Sequence, residues 1–394
     1  MHILLPDAVM QAIRQLNAAG YEAYIVGGCV RDTLLGKIPE DWDITTSATP
    51  DEMKTVFSDR RIIEAGIQHG TLIVVVDDMP LEITTYRVES GYSDSRHPDS
   101  VQFTRSLAED LRRRDFTINA MAYHPENGLI DLYGGQMDLA RKTIRCVGEP
   151  NVRFTEDALR ILRALRFAAV LDFTIEAQTE VALRHLSPTI HRVSAERIME
   201  EFCMMLRDNS VCRIFGRYKD VLIVVMPELV HVTDLSLLSL MPPMMYARFS
   251  ALFWNTTVAI STIQEALRRL RLDKKTINTV GLLLSCREMP ISSNYDLLRV
   301  LNRISPDLIW IYLTLRQADD DLKQRVESLL SSNACYKIPI LAVDGDDVIA
   351  AGISAGPDVG RVLYALLDAV MEGKCPNQKD ELIKWIAKMK EPVQ

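Results

Sequence analysis

The chain predicts an α+β protein, with strands and helices mixed up to about residue 148 and helices alone beyond it. Three observations carry this. Short apolar or alternating runs bounded by turn residues occur in the N-terminal part, at Tyr21–Val26, Thr71–Val76 and Leu81–Tyr86. From Thr155 onward apolar residues recur at helical spacing, beginning with Leu159, Leu162, Leu165 and Phe167. The 394 residues are 48% hydrophobic and 25% charged, with 18 Gly and 17 Pro, which allows a sizeable core and excludes a collagen-like, low-complexity or disordered chain.

Taken in order, Tyr21–Val26 reads as a strand running into Gly27-Gly28, with a helix beginning near Cys29. Asp41 and Asp43 flank Trp42, so in an extended segment both carboxylates project from one face. Two hard oxygen ligands suit Mg²⁺, which is held by one or two carboxylates plus substrate phosphates. Thr71–Val76 and Leu81–Tyr86 are parted by the turn-like Asp77-Asp78-Met79-Pro80. In Leu81-Glu82-Ile83 the apolar residues point one way and Glu82 the other, offering a third carboxylate from a neighbouring strand. Three such acids suit two metal ions ~3.5–4 Å apart.

Thr155 reads as a helix N-cap, and helical patterns continue through Ile198–Leu206 and Ala251–Leu272 to Leu363–Trp385, with a break near Met241-Pro242-Pro243. Gly352–Gly360 is glycine-rich but lacks the G-K-[S/T] ending of a phosphate loop and reads as a helix-to-helix turn.

Several classes are excluded. No apolar run approaches the ~18 residues of a membrane span. MHILLPDAVM lacks the pattern of a secretory leader, so a cytoplasmic protein is expected. Seven scattered cysteines with no C-x-x-C indicate buried, reduced thiols rather than a disulfide framework or zinc site. The net charge is −8, so any nucleic-acid site must be local. Arg141–Arg166 carries seven basic residues against three acidic, and Arg268–Lys275 carries five against Asp273. Each is a candidate phosphate-attracting stripe or a solvated helix face.

Strand, Gly-Gly, helix and then D-x-D is a nucleotidyltransferase arrangement, in which small residues and helix-start N–H groups favour phosphate and Arg31 adds positive charge. The segments GGCVRDTLLGKIPEDWDITTSATP, RRDFTINAMAY, DLYGGQMDLARKTIRCVG, FTEDALRILRALRFAA and AERIMEEF, in this order, resemble the motif series of bacterial class II tRNA nucleotidyltransferases, the CCA-adding enzymes. AGPDVGRVLYALLDAVMEGKCPN resembles that family's tail, so the resemblance covers essentially the whole chain.

The resemblance implies a polymerase-β-like catalytic head (1–148), a nucleotide-selecting helical neck (149–205), a helical body (206–290) and a tRNA-binding helical tail (291–394). It implies template-independent building of the tRNA 3′ CCA end from CTP and ATP. Asp41, Asp43 and Glu82 are then catalytic, with Asp41 and Asp43 holding Mg²⁺. Gly27, Gly28, Arg31, Arg114, Asp115, Asn119, Asp157, Arg160, Arg163 and Arg166 form the nucleotide site.

A residue-level reading stands beside this. Asp157 and Arg160, three apart, share a face if both lie on one helix. Asp only accepts hydrogen bonds and guanidinium only donates, so the pair can read both cytosine and adenine, which place an amino donor beside an acceptor. Uracil and guanine present a carbonyl where the Asp needs a donor. Arg163 continues that face, whereas Arg166 lies about half a turn out of phase and is available to meet triphosphate, tRNA or another domain. Arg113 and Arg114 can reach phosphate, Asp115 and Asn119 the ribose; Phe116 and Ile118 are core residues. Glu196 and Arg197 read as a scaffold for the nucleotide-reading helix.

Four activities share these motifs: CCA, CC-only and A-only addition, and bacterial poly(A) synthesis. Thr84–Thr104 resembles the flexible loop of full CCA enzymes, which disfavours CC-only addition, and the chain lacks the long basic extension usual in poly(A) polymerases. A non-catalytic RNA-binding protein is the alternative of another class; the intact Asp41, Asp43 and Glu82 speak against it. The oligomeric state stays open between monomer and homodimer.

Overall fold

The computed structural model describes residues 3–390 apart from 65, 91–99 and 209. Gly91–Pro98, within the expected flexible loop, therefore lies outside the described residues. The chain divides into two compact units, Met1–Val230 and His231–Gln394.

The first unit mixes helices and strands. Helix α1 (Asp7–Ala18) buries Val9, Ala12, Ile13 and Leu16 along one stripe. It leads to β1 (Ala23–Val26), fully buried, then α2 (Gly28–Leu34) and β2 (Asp43–Thr46). Helix α3 (Pro50–Val56) starts at a capping box of Thr49 and Glu52 with Pro50 at its first position. There follow β3 (Arg61–Ile63), β4 (Thr71–Val76), β5 (Met79–Thr85), β6 (Arg87–Ser90), β7 (Ser100–Phe103), α4 (Leu107–Arg112), β8 (Met121–His124) and β9 (Gly128–Asp131).

Seven of these strands form one sheet in the order β3-β4-β5-β2-β1-β8-β9, while β6 and β7 pair as a separate ribbon. β2 and β5 run parallel, and the other pairs of the large sheet are antiparallel. The β4–β5 connection is shorter than the four-residue turn the sequence suggests. Asp77 and Asp78 take φ 49° and 63°, a two-residue hairpin turn, and Met79 already pairs with Val76. Pro80 fits inside β5 because β2 pairs with β5 only from Glu82 onward, so no ladder bond needs its missing N–H. Leu81 and Ile83 are buried and Glu82 exposed, the alternation expected of this strand.

Beyond the sheet lie α5 (Gly135–Ala140), β10 (Thr143–Ile144), α6 (Pro150–Glu156), α7 (Leu159–Val170), β11 (Thr174–Ile175, parallel to β10), α8 (Ala177–Leu186), α9 (Ala195–Arg207) and α10 (Val211–Val225). Thr155 is not an N-cap. It sits inside α6, its hydroxyl donating back to the Asn151 carbonyl at 2.7 Å, and the helix breaks two residues later at Asp157.

The second unit is helical: α11 (Met245–Trp254), α12 (Ile260–Arg269), α13 (Lys274–Ser285), α14 (Asn294–Arg303), α15 (Pro306–Leu315), α16 (Asp320–Ser331), α17 (Gly345–Ala350), α18 (Pro357–Met371) and α19 (Lys379–Lys390). The apolar run Ala251–Leu272 spans two helices, α11 and α12, not one. Side chains of Asp273, Ser293, Asp319 and Asp344 cap α13, α14, α16 and α17, satisfying N–H groups that a helix start leaves unpaired. As expected, Gly352–Gly360 is a turn entering α18, with Gly356 at φ 136° before Pro357.

Of the seven cysteines, Cys203 and Cys212 are only partly buried, contrary to expectation; the other five are buried and all are free thiols. Among the described residues no helix is long and apolar enough to cross a membrane.

Candidate active site

The turn between β1 and α2 is the first element of the site. Gly27 has φ 81°, a conformation that calls for glycine, and a Cβ there would lie 3.2 Å from Arg114 Nη1. Arg114 is held by the buried Asp110 at 3.2 Å. Arg31, on α2, donates from Nε and Nη2 to Asp32, both at 2.8 Å, and from Nη1 to Asn119 Oδ1 at 2.7 Å. Asn119 reaches it from the short turn Thr117–Asn119, which rests on α5. A Cβ on Gly135 would sit 2.4 Å from the Thr117 carbonyl oxygen, and Asp138 accepts from Thr117 Oγ1 at 2.6 Å.

Asp43 and Glu82 are partners in the parallel β2–β5 register. β2 begins at Asp43, with Asp41 exposed in the segment just before it, and both residues line one cleft. Burial pushes the Asp43 carboxyl up to about 6, reinforced by the negative charges of Glu82 and Asp41 and opposed by Arg114. Among the described residues no group of three or more His, Cys, Asp or Glu is close enough to enclose a metal ion. The expected convergence of three acids is thus not preformed. An all-oxygen donor set with uncompensated negative charge suits a divalent cation held by one or two carboxylates and completed by substrate phosphate, not an all-protein cage.

Helices α6 and α7 depart most from the sequence reading. Asp157 takes φ −143°, ψ 105°, extended backbone between α6 and α7. It therefore does not share a helix face with Arg160. Its Oδ2 accepts from Arg197 Nη2 at 2.8 Å and its Oδ1 from the Leu159 N–H at 3.0 Å. Arg160 is held by Glu156 at 2.7 Å and by the carbonyls of Arg153 and Arg113.

Arg163 pairs with Asp115 at 2.8 Å and Glu201 at 3.3 Å, and Arg166 pairs with Glu201 at 2.5 Å. Burial alone would raise the Asp115 carboxyl; Arg163, with Arg160 and Asn119 behind it, outweighs this and holds it at about 2. Asp115 and Asn119 thus face protein partners. Phe116 and Ile118 are fully buried core residues, as expected. Glu201 was not singled out in the sequence. It sits on the apolar stripe of α9 with Ile198, Phe202 and Met205, and a carboxylate in such a stripe signals a buried cation partner.

A cleft of about 410 Å³ gathers part of the predicted set: Gly28, Arg31, Asp41, Asp43 and Arg166 line it, with Lys37 and Phe167. Gly27, Glu82, Arg114, Asp115, Asn119, Asp157, Arg160 and Arg163 are not among its lining residues.

Comparison with known proteins identifies the family of the chain. The poly A polymerase head domain model matches residues 23–145, a model of an RNA- and SrmB-binding site of polymerase A matches 172–221, and a tRNA nucleotidyltransferase domain 2 model matches 246–386. The CCA-adding enzyme of Leuconostoc mesenteroides is 36% identical over 97% of this chain and 96% of its own length; that of Enterococcus faecalis is 36% identical over 96% and 95%. The crystal structure of the Bacillus stearothermophilus CCA-adding enzyme in complex with CTP superposes with TM-score 0.79 at 32% identity, covering 98% of both chains. A Thermotoga maritima CCA-adding enzyme, solved with tRNA, shares the fold at TM-score 0.66 and 21% identity over 97% of this chain and 94% of its own. With relatives this similar along its whole length, the chain belongs to the CCA-adding enzymes, the tRNA nucleotidyltransferases.

Proposed function

We propose that this protein adds C, C and A to the 3′ end of tRNA from CTP and ATP, releasing pyrophosphate, with its side chains in place of a template. The observation that carries the reading is the cleft lined together by Gly28, Arg31 and Arg166, groups suited to phosphate, and by the carboxylates Asp41 and Asp43. Family membership supports it, since the Bacillus relative is described with CTP bound.

Asp41 and Asp43, with Glu82 beside Asp43, would hold the divalent cation, for which Mg²⁺ is the proposed ion. Such an ion supplies neutralisation of phosphate charge and activation of the attacking hydroxyl. Gly27 and Gly28 let the backbone approach phosphate, and Arg31 exchanges its contact with Asp32 for the triphosphate. Asp115 and Asn119 orient Arg163 and Arg31, and Arg114 covers Gly27.

The proposed division of labour puts the chemistry in the head, 1–148, base selection in the neck, 149–205, and tRNA binding in the tail, 291–394, beyond a helical body, 206–290. Asp157 and Arg160 select the base. Arg197 holds the Asp157 carboxylate in place, so that a cytosine or adenine amino group meets an acceptor that does not have to be reorganised.

The test measures kcat/KM for all four nucleoside triphosphates on tRNA lacking CCA, for the wild type and for Asp157→Ala. CMP, CMP and then a single AMP are expected in the wild type. Asp157→Ala should lower discrimination against UTP and GTP roughly ten- to a hundredfold. Addition of A alone, of CC alone or of long A tracts would replace the CCA reading, and unchanged selectivity in a folded Asp157→Ala protein would remove the templating role.

A further inference from the structure

Three arginines of the site converge on one buried ring. Phe167, in α7, is 4% exposed. The guanidinium carbons of Arg166, Arg31 and Arg163 lie 4.1, 5.2 and 5.4 Å from its centroid. The ring also makes an edge contact with Phe116, at 5.8 Å between centroids and 81° between planes. Phe167 thus joins the first turn of α2, the segment around Asp115 and the reading helix itself.

Each guanidinium has a carboxylate partner: Asp32 for Arg31, Asp115 for Arg163 and Glu201 for Arg166. Those partners do not account for the crowding of three like charges. Burial pulls the Arg166 guanidinium below its usual range, opposed by Glu201 and reinforced by the charge of Arg163. An aromatic face carries negative π density that attracts a guanidinium, and a stacked guanidinium gives up much of the rotamer freedom of a long side chain. An aliphatic residue would fill the same apolar space without doing either.

Resting on the reading of the cleft as the nucleotide site, we propose that Phe167 is a positioning residue whose ring holds Arg31 and Arg166 in the cleft wall, oriented for the incoming triphosphate. Arg31, Arg166 and Phe167 all line that cleft, while Arg163 stands behind it and fixes the stack through Asp115. Arginines held in place before the nucleotide arrives bind it without the cost of being ordered, and such uniform binding appears in KM rather than kcat.

The experiment uses the full chain and measures kcat and KM for CTP on tRNA lacking CCA and for ATP on tRNA ending in CC, with urea unfolding alongside. The variants are Phe167→Leu, Phe167→Met, Phe167→Tyr, Arg31→Ala and Arg166→Ala. Phe167→Leu is expected to raise KM for both nucleotides about tenfold with kcat within about twofold, and Phe167→Tyr to restore KM to within about twofold of the wild type. If Phe167→Leu does not fold, Phe167→Met supplies the same aliphatic comparison with a more adaptable side chain. Aliphatic and aromatic variants behaving alike, while Arg31→Ala and Arg166→Ala raise KM, would overturn the positioning role and leave the cleft reading standing. Unchanged KM in both arginine variants would overturn the cleft reading, and this inference with it.

Discussion

Two dense basic runs, Arg141–Arg166 in the first unit and Arg268–Lys275 in the helical unit, are alike as sequence and unlike as structure. In Arg141–Arg166 five of the seven basic residues are taken up by carboxylates: Arg145 by Asp138, Arg153 and Arg160 by Glu156, Arg163 by Asp115 and Glu201, and Arg166 by Glu201, while Arg141 and Lys142 are exposed. In Arg268–Lys275 the basic residues Arg268, Arg269, Arg271, Lys274 and Lys275 are all exposed at the α12–α13 corner, and the one acid among them, Asp273, caps α13. Counting charges within a window misses this, because Asp115, Asp138 and Glu201 come from other parts of the chain. One run is for the most part a framework of ion pairs; the other is solvent-facing positive surface.

The largest test of that contrast removes a framework cation. Arg163→Ala leaves the buried Asp115 and Glu201 short of a partner, and should lower stability by about 3 kcal/mol in urea unfolding. A loss below about 1 kcal/mol would show that the framework is not what holds this region.

The next uses acid. Because Asp115 is held at about 2, below its ordinary value, its contribution is complete above pH ~4 and is lost as pH falls from there through about 2. Unfolding free energies from urea titrations at pH 6, 4 and 3 should fall by roughly 1 kcal/mol more in the wild type than in Asp115→Asn between pH 6 and pH 3. Parallel profiles for the two proteins would contradict the assignment.

The smallest effect on stability, under about 0.5 kcal/mol, is expected when Arg268, Lys274 and Lys275 are all changed to alanine. If this corner meets RNA phosphates, the dependence of log K for tRNA on log salt should become shallower by about two. An unchanged slope would make the corner a merely solvated face.

The sequence made some of this plain and hid the rest for physical reasons. The alternation Leu81-Glu82-Ile83 revealed both strand and carboxylate, because a sheet with one buried face imposes period two. The Gly27-Gly28 turn was legible because only glycine suits a positive φ beneath a guanidinium. The break at Asp157 was not, since Glu156-Asp157-Ala158 contains neither Gly nor Pro. Two contacts accompany it, a local one in which the carboxylate accepts the Leu159 N–H at the start of α7 and a tertiary one to Arg197, forty positions away in the chain. The same long-range pairing that hides Glu201 from a local reading also turns most of an apparent basic stripe into a network of ion pairs.

The parallel pairing of β2 with β5 joins two requirements that are usually separable. The register that sets Asp43 beside Glu82 also sets Ile44 beside Ile83, both buried. A slip by one residue would turn Glu82 into the core and Ile83 out to water, burying an unpaired charge and exposing an apolar side chain at once. Such a chain would be rejected by its own instability before it could persist as a folded but inert enzyme. Correct register of this sheet is therefore tied to the placement of the carboxylates proposed to act in catalysis, and slips in assembly here should show up as lost protein rather than as lost turnover per molecule.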